Sequence, residues 1–188
     1  QAQQYFQQAV EGQAADSLFA LSLKGGEGKL GFVGIADEYA GTDAGNLANY
    51  YAGISYLNIG DYKNAITYLE KFESEDAILK PLAIGAIGDA KMELNEVDAA
   101  IKFYQKAADI NTNAFTTPIY LKKAALAYES KSEFADALKL YERIQKEYSK
   151  NASWKLVGKA GEAFWAGMEW MTDERLPPSP KVNHLLFN

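Results

Sequence analysis

YLNIGDYKNAITYLEKF, residues 56–72, contains the pattern from which the architecture of this chain follows. A Gly-Asp-Tyr turn separates two segments whose apolar residues recur every three or four positions, which is the spacing of an amphipathic helix. Asp61 is a favourable N-cap for the second segment. The stretch therefore predicts two helices joined by a tight turn.

The same pattern recurs twice downstream at a nearly constant interval. Ala65 in the second helix of the first copy corresponds to Ala100, 35 residues later, and to Ala137, 37 residues beyond that. The first helix of each copy also carries a small residue at one position: Gly53, Gly88 and Ala125. Because the distance between packed helices depends on the side chains at the contact, these small residues are predicted to lie where helices cross.

This periodic pattern resembles the tetratricopeptide repeat, a helix-turn-helix unit of about 34 residues. The signature tryptophan and the closing proline of that repeat are absent here, and Lys91 replaces a tyrosine. The resemblance therefore rests on the three units that share one register. It implies an all-α fold, a right-handed superhelical array of antiparallel helix-turn-helix repeats that ends in a C-terminal capping helix.

The repeat register predicts the domain organisation. Residues 1–175 form a single solenoid with a degenerate unit at about 9–42, units at about 46–79, 81–114 and 118–150, and a capping helix at about 152–172. An extended, proline-rich tail follows at 176–188. The predicted helices span residues 2–23 with a break near Gly12, 29–39, 44–59, 62–72, 78–94, 97–110, 118–130, 134–148 and 152–172.

Local residue types support several of these boundaries. Asp43, Asp61 and Ser132 are predicted N-caps, and Pro81 and Pro118 suit the first turn of a helix. The glycine-rich stretch KGGEGK, residues 24–29, is predicted to be a loose turn. NTNAFTTP, residues 111–118, is predicted to be the longest interior loop.

Composition excludes several classes of partner. The formal net charge of −6 argues against a protein that binds nucleic acid or an anionic membrane surface, since both need basic patches. The chain has no cysteine, which removes disulfides, thiolate zinc sites and cysteine nucleophiles. The predicted partner is therefore a protein or peptide segment, with a small ligand as the alternative, and with no nucleic acid and no direct membrane contact.

No motif predicts catalysis. GGEGK, residues 25–29, lacks the first glycine and the closing Ser or Thr of a phosphate-binding loop. His184 is the single histidine, which argues against a histidine-based catalytic or metal site. The acidic clusters lack the alternating spacing of a calcium loop. The chain is therefore predicted not to be an enzyme, with no catalytic, cofactor-binding or metal-ligating residues.

A solenoid of this kind has a concave face lined by the first helix of each unit. Steps of three, seven and ten residues return to one side of a helix, so the register predicts which residues line that face. The predicted partner groove consists of Leu47, Tyr50, Ile54, Leu57, Leu82, Gly85, Asp89, Met92, Ile119, Lys122, Leu126 and Glu129. An apolar stripe of this extent usually marks a partner site or a covered surface.

Some tetratricopeptide domains hold the terminal carboxylate of a chaperone tail with a clamp of Lys, Asn, Asn, Lys and Arg. In this chain the corresponding positions are Tyr50, Ile54, Ala86, Ile119 and Lys123. Of these, Lys123 alone retains a basic side chain, and it is kept among the predicted groove residues. The resemblance therefore disfavours recognition of a chaperone tail.

Two stretches, GFVGIADEYAGTDAGNLANYYAGISYL at 31–57 and NAFTTPIYLKKAALAYE at 113–129, resemble bacterial envelope tetratricopeptide proteins, including the type that accompanies the Sec translocon. That resemblance implies a non-enzymatic scaffold or adaptor for envelope protein export or chaperoning. The implied location faces the periplasm, with a membrane anchor preceding Gln1; the alternative is the cytoplasm.

A second hypothesis is a structural helical-repeat module that self-associates through the same stripe as a homodimer. The tail adds a further expectation, because Leu185, Leu186 and Phe187 follow a proline-rich segment that stops the helix. These three apolar residues are predicted to dock into an apolar groove, and adhesion to the capping helix is the alternative.

Overall fold

A computed structural model describes residues 1–12, 15–26 and 28–148 of the 188-residue chain. The described residues form α1 (Ala2–Val10), α2 (Ala15–Lys24), β1 (Gly25–Gly26), β2 (Lys29–Leu30), α3 (Phe32–Glu38), α4 (Asp43–Asn58), α5 (Tyr62–Lys71), α6 (Leu79–Glu93), α7 (Val97–Ile110), α8 (Thr116–Ser130) and α9 (Phe134–Tyr148). The fold is an all-α array of helix pairs, as the sequence predicts. The predicted helix at 152–172 and the tail at 176–188 lie outside the described residues.

Each helix of the array packs against the next one in the chain, and α2, α4, α6 and α8 also contact one another in succession. These four are the first helices of their units, and α3, α5, α7 and α9 are the second helices. Helix α1 packs on α2 ahead of the first unit. The succession of first-helix contacts produces the continuous face predicted to hold a partner.

Most helix boundaries agree closely with the predicted ones, and α7 and α9 agree exactly. The predicted 2–23 helix is interrupted as expected, since α1 ends at Val10 and α2 begins at Ala15. The predicted start at residue 29 is wrong. Residues 29–30 pair instead with 25–26 in a short antiparallel hairpin, so α3 begins only at Phe32. The stretch 24–29 is thus not a loose turn.

The turn between the two helices has the same structure in all three complete units. Its central residue adopts a positive φ of 78° at Gly60, 59° at Asn95 and 62° at Ser132. In the first unit the amide of Asp61 donates to the carbonyl of Tyr56 at 2.9 Å, and the equivalent bond recurs in the other two. This pattern is a Schellman motif, which satisfies carbonyl groups at the end of the first helix.

Two of the predicted caps require correction. Asp61 does cap α5, because its carboxylate accepts from the amide of Asn64. The cap of α4 is Thr42 rather than Asp43, since the Thr42 hydroxyl accepts from the amide of Gly45 at 3.2 Å. Ser132 is the left-handed turn residue, two positions before α9 begins, and therefore does not cap that helix.

The starts of α6 and α8 share a second repeated device. The Oδ1 atom of Asp76 accepts from the amides of Ile78 and Leu79, both at 2.8 Å. In the next unit the Oδ1 atom of Asn113 accepts from two amides in the same arrangement, those of Phe115 and Thr116. Helix α8 therefore begins two residues before the predicted Pro118, and the predicted 111–118 loop is correspondingly shorter.

Small residues at the helix crossings permit close packing, as predicted. Ala65, Ala100 and Ala137 are fully buried. A Cβ atom added to Gly53 would lie 2.5 Å from Cγ of Leu69, and one added to Gly88 would lie 2.6 Å from Cε1 of Tyr104. Larger side chains at these positions would push the two helices of a unit apart.

Candidate partner groove

The predicted groove residues divide by exposure into two groups. Leu47, Ile119 and Leu126 are exposed, at 41%, 38% and 40% of their full surface. The other apolar members are half-buried and pack against the core clusters beneath the first helices; they are Tyr50, Ile54, Leu57, Leu82 and Met92. The face therefore presents exposed side chains at its two ends and half-buried side chains between them.

The end of this face nearest the N-terminus contains a cleft of about 300 Å³ between α1, β2, α3 and α4. Its apolar lining includes Leu30, Phe32, Ile35, Leu47 and Tyr51. The rings of Phe32 and Tyr51 stack with their centroids 5.0 Å apart, which fixes one wall. The cleft thus extends the apolar surface of α4 towards α3.

The middle of the face is partly occupied by the protein's own side chains. The Tyr50 ring lies 5.1 Å from that of Phe72 at the end of α5. On α6, a Cβ atom at Gly85 would lie only 1.9 Å from Cε1 of Tyr120, so Tyr120 of α8 covers this position. Gly85 is consequently buried and contributes no free surface, although the register placed it on the groove.

A charged cluster joins three helices at the far side of this covered position. Nζ of Lys123 donates to both carboxylate oxygens of Asp89 at 2.7 Å, and the Tyr104 hydroxyl donates to the same carboxylate at 2.8 Å. The Lys123 ammonium also lies 5.8 Å from the Tyr104 ring centroid and 5.9 Å from that of Tyr120. Lys123 is therefore engaged with groups of this chain.

The electrostatics of the two tyrosines follow from this cluster. Burial, and then the nearby Asp89 charge, raise the pKa of Tyr104 well above its ordinary value, and the same two causes raise the pKa of Tyr120. Both phenols accordingly stay protonated at neutral pH. The cluster is thus a closed arrangement in which one cation balances one anion.

At the end of α8, the Glu129 carboxylate is also hydrogen-bonded to a side chain of this protein. Its Oε1 atom accepts from the Tyr141 hydroxyl of α9 at 2.8 Å. Burial raises the pKa of the Glu129 carboxyl above its ordinary value, and the hydrogen bond from Tyr141 acts in the opposite direction. Helix α4, by contrast, carries a single charged residue, Asp43, at its first position. The chemical character of the face therefore changes from apolar on α4 to internally paired charge on α6 and α8.

The register identified the row of groove residues but missed other side chains that shape the face. Tyr120 covers α6, Tyr51 and Phe32 form the cleft wall, and Tyr104 reaches Asp89 from a second helix. The sequence offers one signal for Tyr120. Its large ring follows directly after the groove residue Ile119, and the preceding unit has a glycine, Gly85, at a groove position. The cleft has no comparable signal, because it depends on the hairpin at 25–30.

Among the described residues, no group of three His, Cys, Asp or Glu side chains is arranged to hold a metal ion. Within the same residues, no helix combines the length and the apolar character needed to cross a membrane.

Comparison with known families gives two matches, both within the array. Residues 47–76, which contain most of α4 and all of α5, match a tetratricopeptide repeat model. Residues 83–113, which contain most of α6 and all of α7, match a second tetratricopeptide repeat model. Curated proteins and solved structures give no significant match. Together with the array of helix pairs, the two matches support a tetratricopeptide-repeat protein.

Proposed function

We propose that this protein is a non-enzymatic scaffold that binds a segment of a partner protein along the face of α4 and α6. The observation that carries the proposal is the uncharged row formed by Leu47, Tyr50, Ile54 and Leu57, which continues into the apolar cleft beside α3. Tetratricopeptide repeats commonly bind proteins or peptides, which supports the same conclusion. Extended or helical segments are the usual ligands of such a surface.

The charges of the face indicate the chemistry of the partner. Asp89 is balanced by Lys123, and Glu129 accepts from Tyr141, so neither carboxylate requires a cation from a partner. An anionic terminus would have to displace Asp89 from Lys123, at the cost of leaving a half-buried carboxylate without its cation. The partner segment is therefore rich in apolar and aromatic residues and poor in charge.

The cellular setting is the finer part of the proposal. The stretches 31–57 and 113–129 resemble envelope tetratricopeptide proteins, which favours a role in export or chaperoning on the periplasmic side of a membrane. Fractionation of the full-length protein in its source cell tests this directly. Recovery with the envelope supports that role, and recovery with the cytoplasm contradicts it while leaving the groove proposal intact.

Selection from a random dodecapeptide library on the immobilised protein tests the groove itself. The selected peptides should be enriched in apolar and aromatic residues and should compete with one another for one site. Enrichment of strongly acidic or basic peptides would contradict the proposed chemistry. Light scattering over a range of concentrations accompanies the selection, because a stable dimer that excludes the peptides would favour the self-associating module instead.

A further inference from the structure

Two sides of the cleft beside α4 come from elements outside the repeated helix pairs. Helix α1 and strand β2 form these two sides, and α3 and α4 form the others. The sequence of α1, AQQYFQQAV, carries no charged side chain. The hairpin that contains β2 is tightly packed, because a Cβ atom added to Gly25 would collide with the carbonyl oxygen of Lys29, and one added to Gly31 with that of Leu23. This close packing holds β2 in place beside α3.

The aromatic wall of the cleft, formed by Phe32 and Tyr51, is supported from behind. Phe6 of α1 lies edge-on to both residues, with its ring centroid 6.1 Å from that of Phe32 and 5.0 Å from that of Tyr51. Phe19 of α2 packs edge-on against Phe6 in turn, at 5.5 Å. The four rings hold one another in position, so the wall is preformed. A preformed aromatic surface of this kind favours an aromatic side chain as its ligand.

Leu30 forms the side of the cleft at β2. Its side chain packs on α3 at Gly34, where an added Cβ atom would lie 2.8 Å from Cδ2 of Leu30. Leu30 is nevertheless about as exposed as Leu47 on α4, so both can contact a ligand. The cleft volume of about 300 Å³ lies at the lower end of the range for ligand pockets, roughly 300 to 1,000 Å³. The cleft therefore suits one large side chain.

Lys29 gives the cleft its electrostatic character. It is the one charged side chain in the lining that the structure describes, and no described carboxylate lines the cleft. The Lys29 ammonium forms no ion pair with a described residue, whereas the ammonium groups of Lys123 and Lys131 are paired with carboxylates. An acidic group beside the bound side chain would therefore meet a cation, and a basic group would be repelled.

We propose that the cleft is the anchor site for the partner segment: it binds one aromatic side chain of that segment, and Lys29 pairs with an acidic residue beside this anchor. The inference rests on the proposed function and deepens it, because it assigns residue types to one end of the segment. Leu47 both lines the cleft and begins the row on α4, so the rest of the segment continues along Tyr50, Ile54 and Leu57. One acidic residue is compatible with a segment that is otherwise poor in charge.

Filling the cleft tests the anchor, with a dodecapeptide selected on the wild-type protein as the probe. Ala44 is the exposed second residue of α4 and lines the cleft, so Ala44→Trp should weaken peptide binding at least about tenfold without changing helicity. Ala135→Trp is the matched control, since Ala135 is the exposed second residue of α9 and does not line the cleft. Replacing the aromatic residue of the peptide by alanine should cost as much as Ala44→Trp. Equal affinity of the two protein variants would overturn the inference.

The charge is tested by Lys29→Gln, with Lys24→Gln as the control. Lys24 is also exposed and precedes the same hairpin, but it does not line the cleft. Lys29→Gln should weaken peptide binding about two- to fivefold at low salt and remove most of the salt dependence, since an exposed ion pair is weak and screened by salt. Lys24→Gln should change neither property. Equal salt dependence in the two variants would overturn the pairing assigned to Lys29.

The possible outcomes separate the anchor from the proposed function. Failure to select any peptide would contradict the proposed function and the anchor with it. If Leu47→Ala weakens binding while Ala44→Trp and Ala135→Trp bind alike, the partner lies on α4 without using the cleft, and the anchor alone is overturned. A wild-type dimer that only Ala44→Trp dissociates, as measured by light scattering, would place a second copy in the cleft and would also overturn the anchor.

Discussion

Single residues explain how one turn is used three times with different amino acids. Gly60 adopts the left-handed conformation without steric cost, and Asn95 is among the non-glycine residues that tolerate it. Ser132 adopts the same conformation at φ 62° although its Cβ disfavours it. The hydrogen bonds of the Schellman motif hold each residue in place, so the third turn stores strain that the first does not.

We therefore expect Ser132→Gly to stabilise the protein. Relief of the left-handed strain is worth about 1 to 2 kcal/mol, and the greater freedom of glycine in the unfolded chain offsets about 0.5 to 1 kcal/mol of it. Urea unfolding should thus show a net gain. Ser130→Gly is the control, because Ser130 lies in the last turn of α8, where glycine lowers stability. A loss of stability on Ser132→Gly would show that the turn is not strained.

The half-buried carboxyl of Glu129 gives a pH dependence whose sign is defined. Its pKa in the folded protein lies above the ordinary value, so the folded state binds more protons in that window and stability falls as pH rises through it. Glu129→Gln keeps an oxygen that can accept from Tyr141 but removes the charge. The variant should gain stability relative to wild type as pH rises above the ordinary glutamate pKa, as measured by urea unfolding at each pH.

Glu142→Gln, at an exposed position on α9, is the control for this comparison and should show no such change. A constant difference in stability between wild type and Glu129→Gln across the pH range would show that burial does not raise the pKa of the Glu129 carboxyl.

The helices themselves show how much the sequence predicts and where it stops. Helices α7 and α9 match their predicted bounds because each begins after a turn of the repeated type and keeps a clear apolar period. The hairpin at 25–30 was missed, since glycine-rich segments carry no apolar period and the close backbone approach that leaves no room for a Cβ atom at Gly25 or Gly31 is not visible in the sequence. The sequence predicted a row of first-helix residues for the groove. It did not predict that Tyr120 of α8 covers Gly85 of α6, because that contact arises from tertiary packing.

Helix crossings provide a direct test of the register. Ala100 of α7 is fully buried where the two helices of its unit meet, so Ala100→Leu should destabilise the protein by about 1 to 3 kcal/mol through overpacking. Ala135→Leu, at an exposed position on α9, is the matched control and should change stability little. Equal unfolding midpoints for the two variants would show that Ala100 does not lie at a crossing.

The junction between α6 and α8 depends on the Asp89–Lys123 pair. Lys123→Ala alone should destabilise by about 0.5 to 1 kcal/mol, because it removes the cation from a partly exposed carboxylate that keeps its hydrogen bond from Tyr104. Combining Asp89→Ile with Lys123→Ala reproduces the residues found at the α4–α6 junction, Ile54 and Ala86. The double variant should recover part of the loss, and a double-mutant cycle measures the coupling. Additive effects would show that the two side chains do not act as a pair.

At the level of the whole molecule, successive first helices build one face whose chemistry changes along its length. The α4 end is apolar and opens into a cleft, the α6 middle is covered at Gly85 by Tyr120 and carries a balanced charge pair, and the α8 end exposes Ile119 and Leu126. This gradient is what directs the partner proposal to α4.

The affinity of a library-selected peptide for two matched variants is the most direct test of that proposal. Leu47 and Ile110 are exposed to nearly the same degree, at 41% and 38%, but Leu47 lies on the α4 face and Ile110 at the end of α7. Loss of an important apolar contact with the peptide costs about 1.4 kcal/mol, so Leu47→Ala should weaken peptide binding about tenfold. Ile110→Ala should leave the dissociation constant unchanged. Equal affinities for both variants, with the peptide still bound, would place the partner site away from α4 and contradict the proposed function.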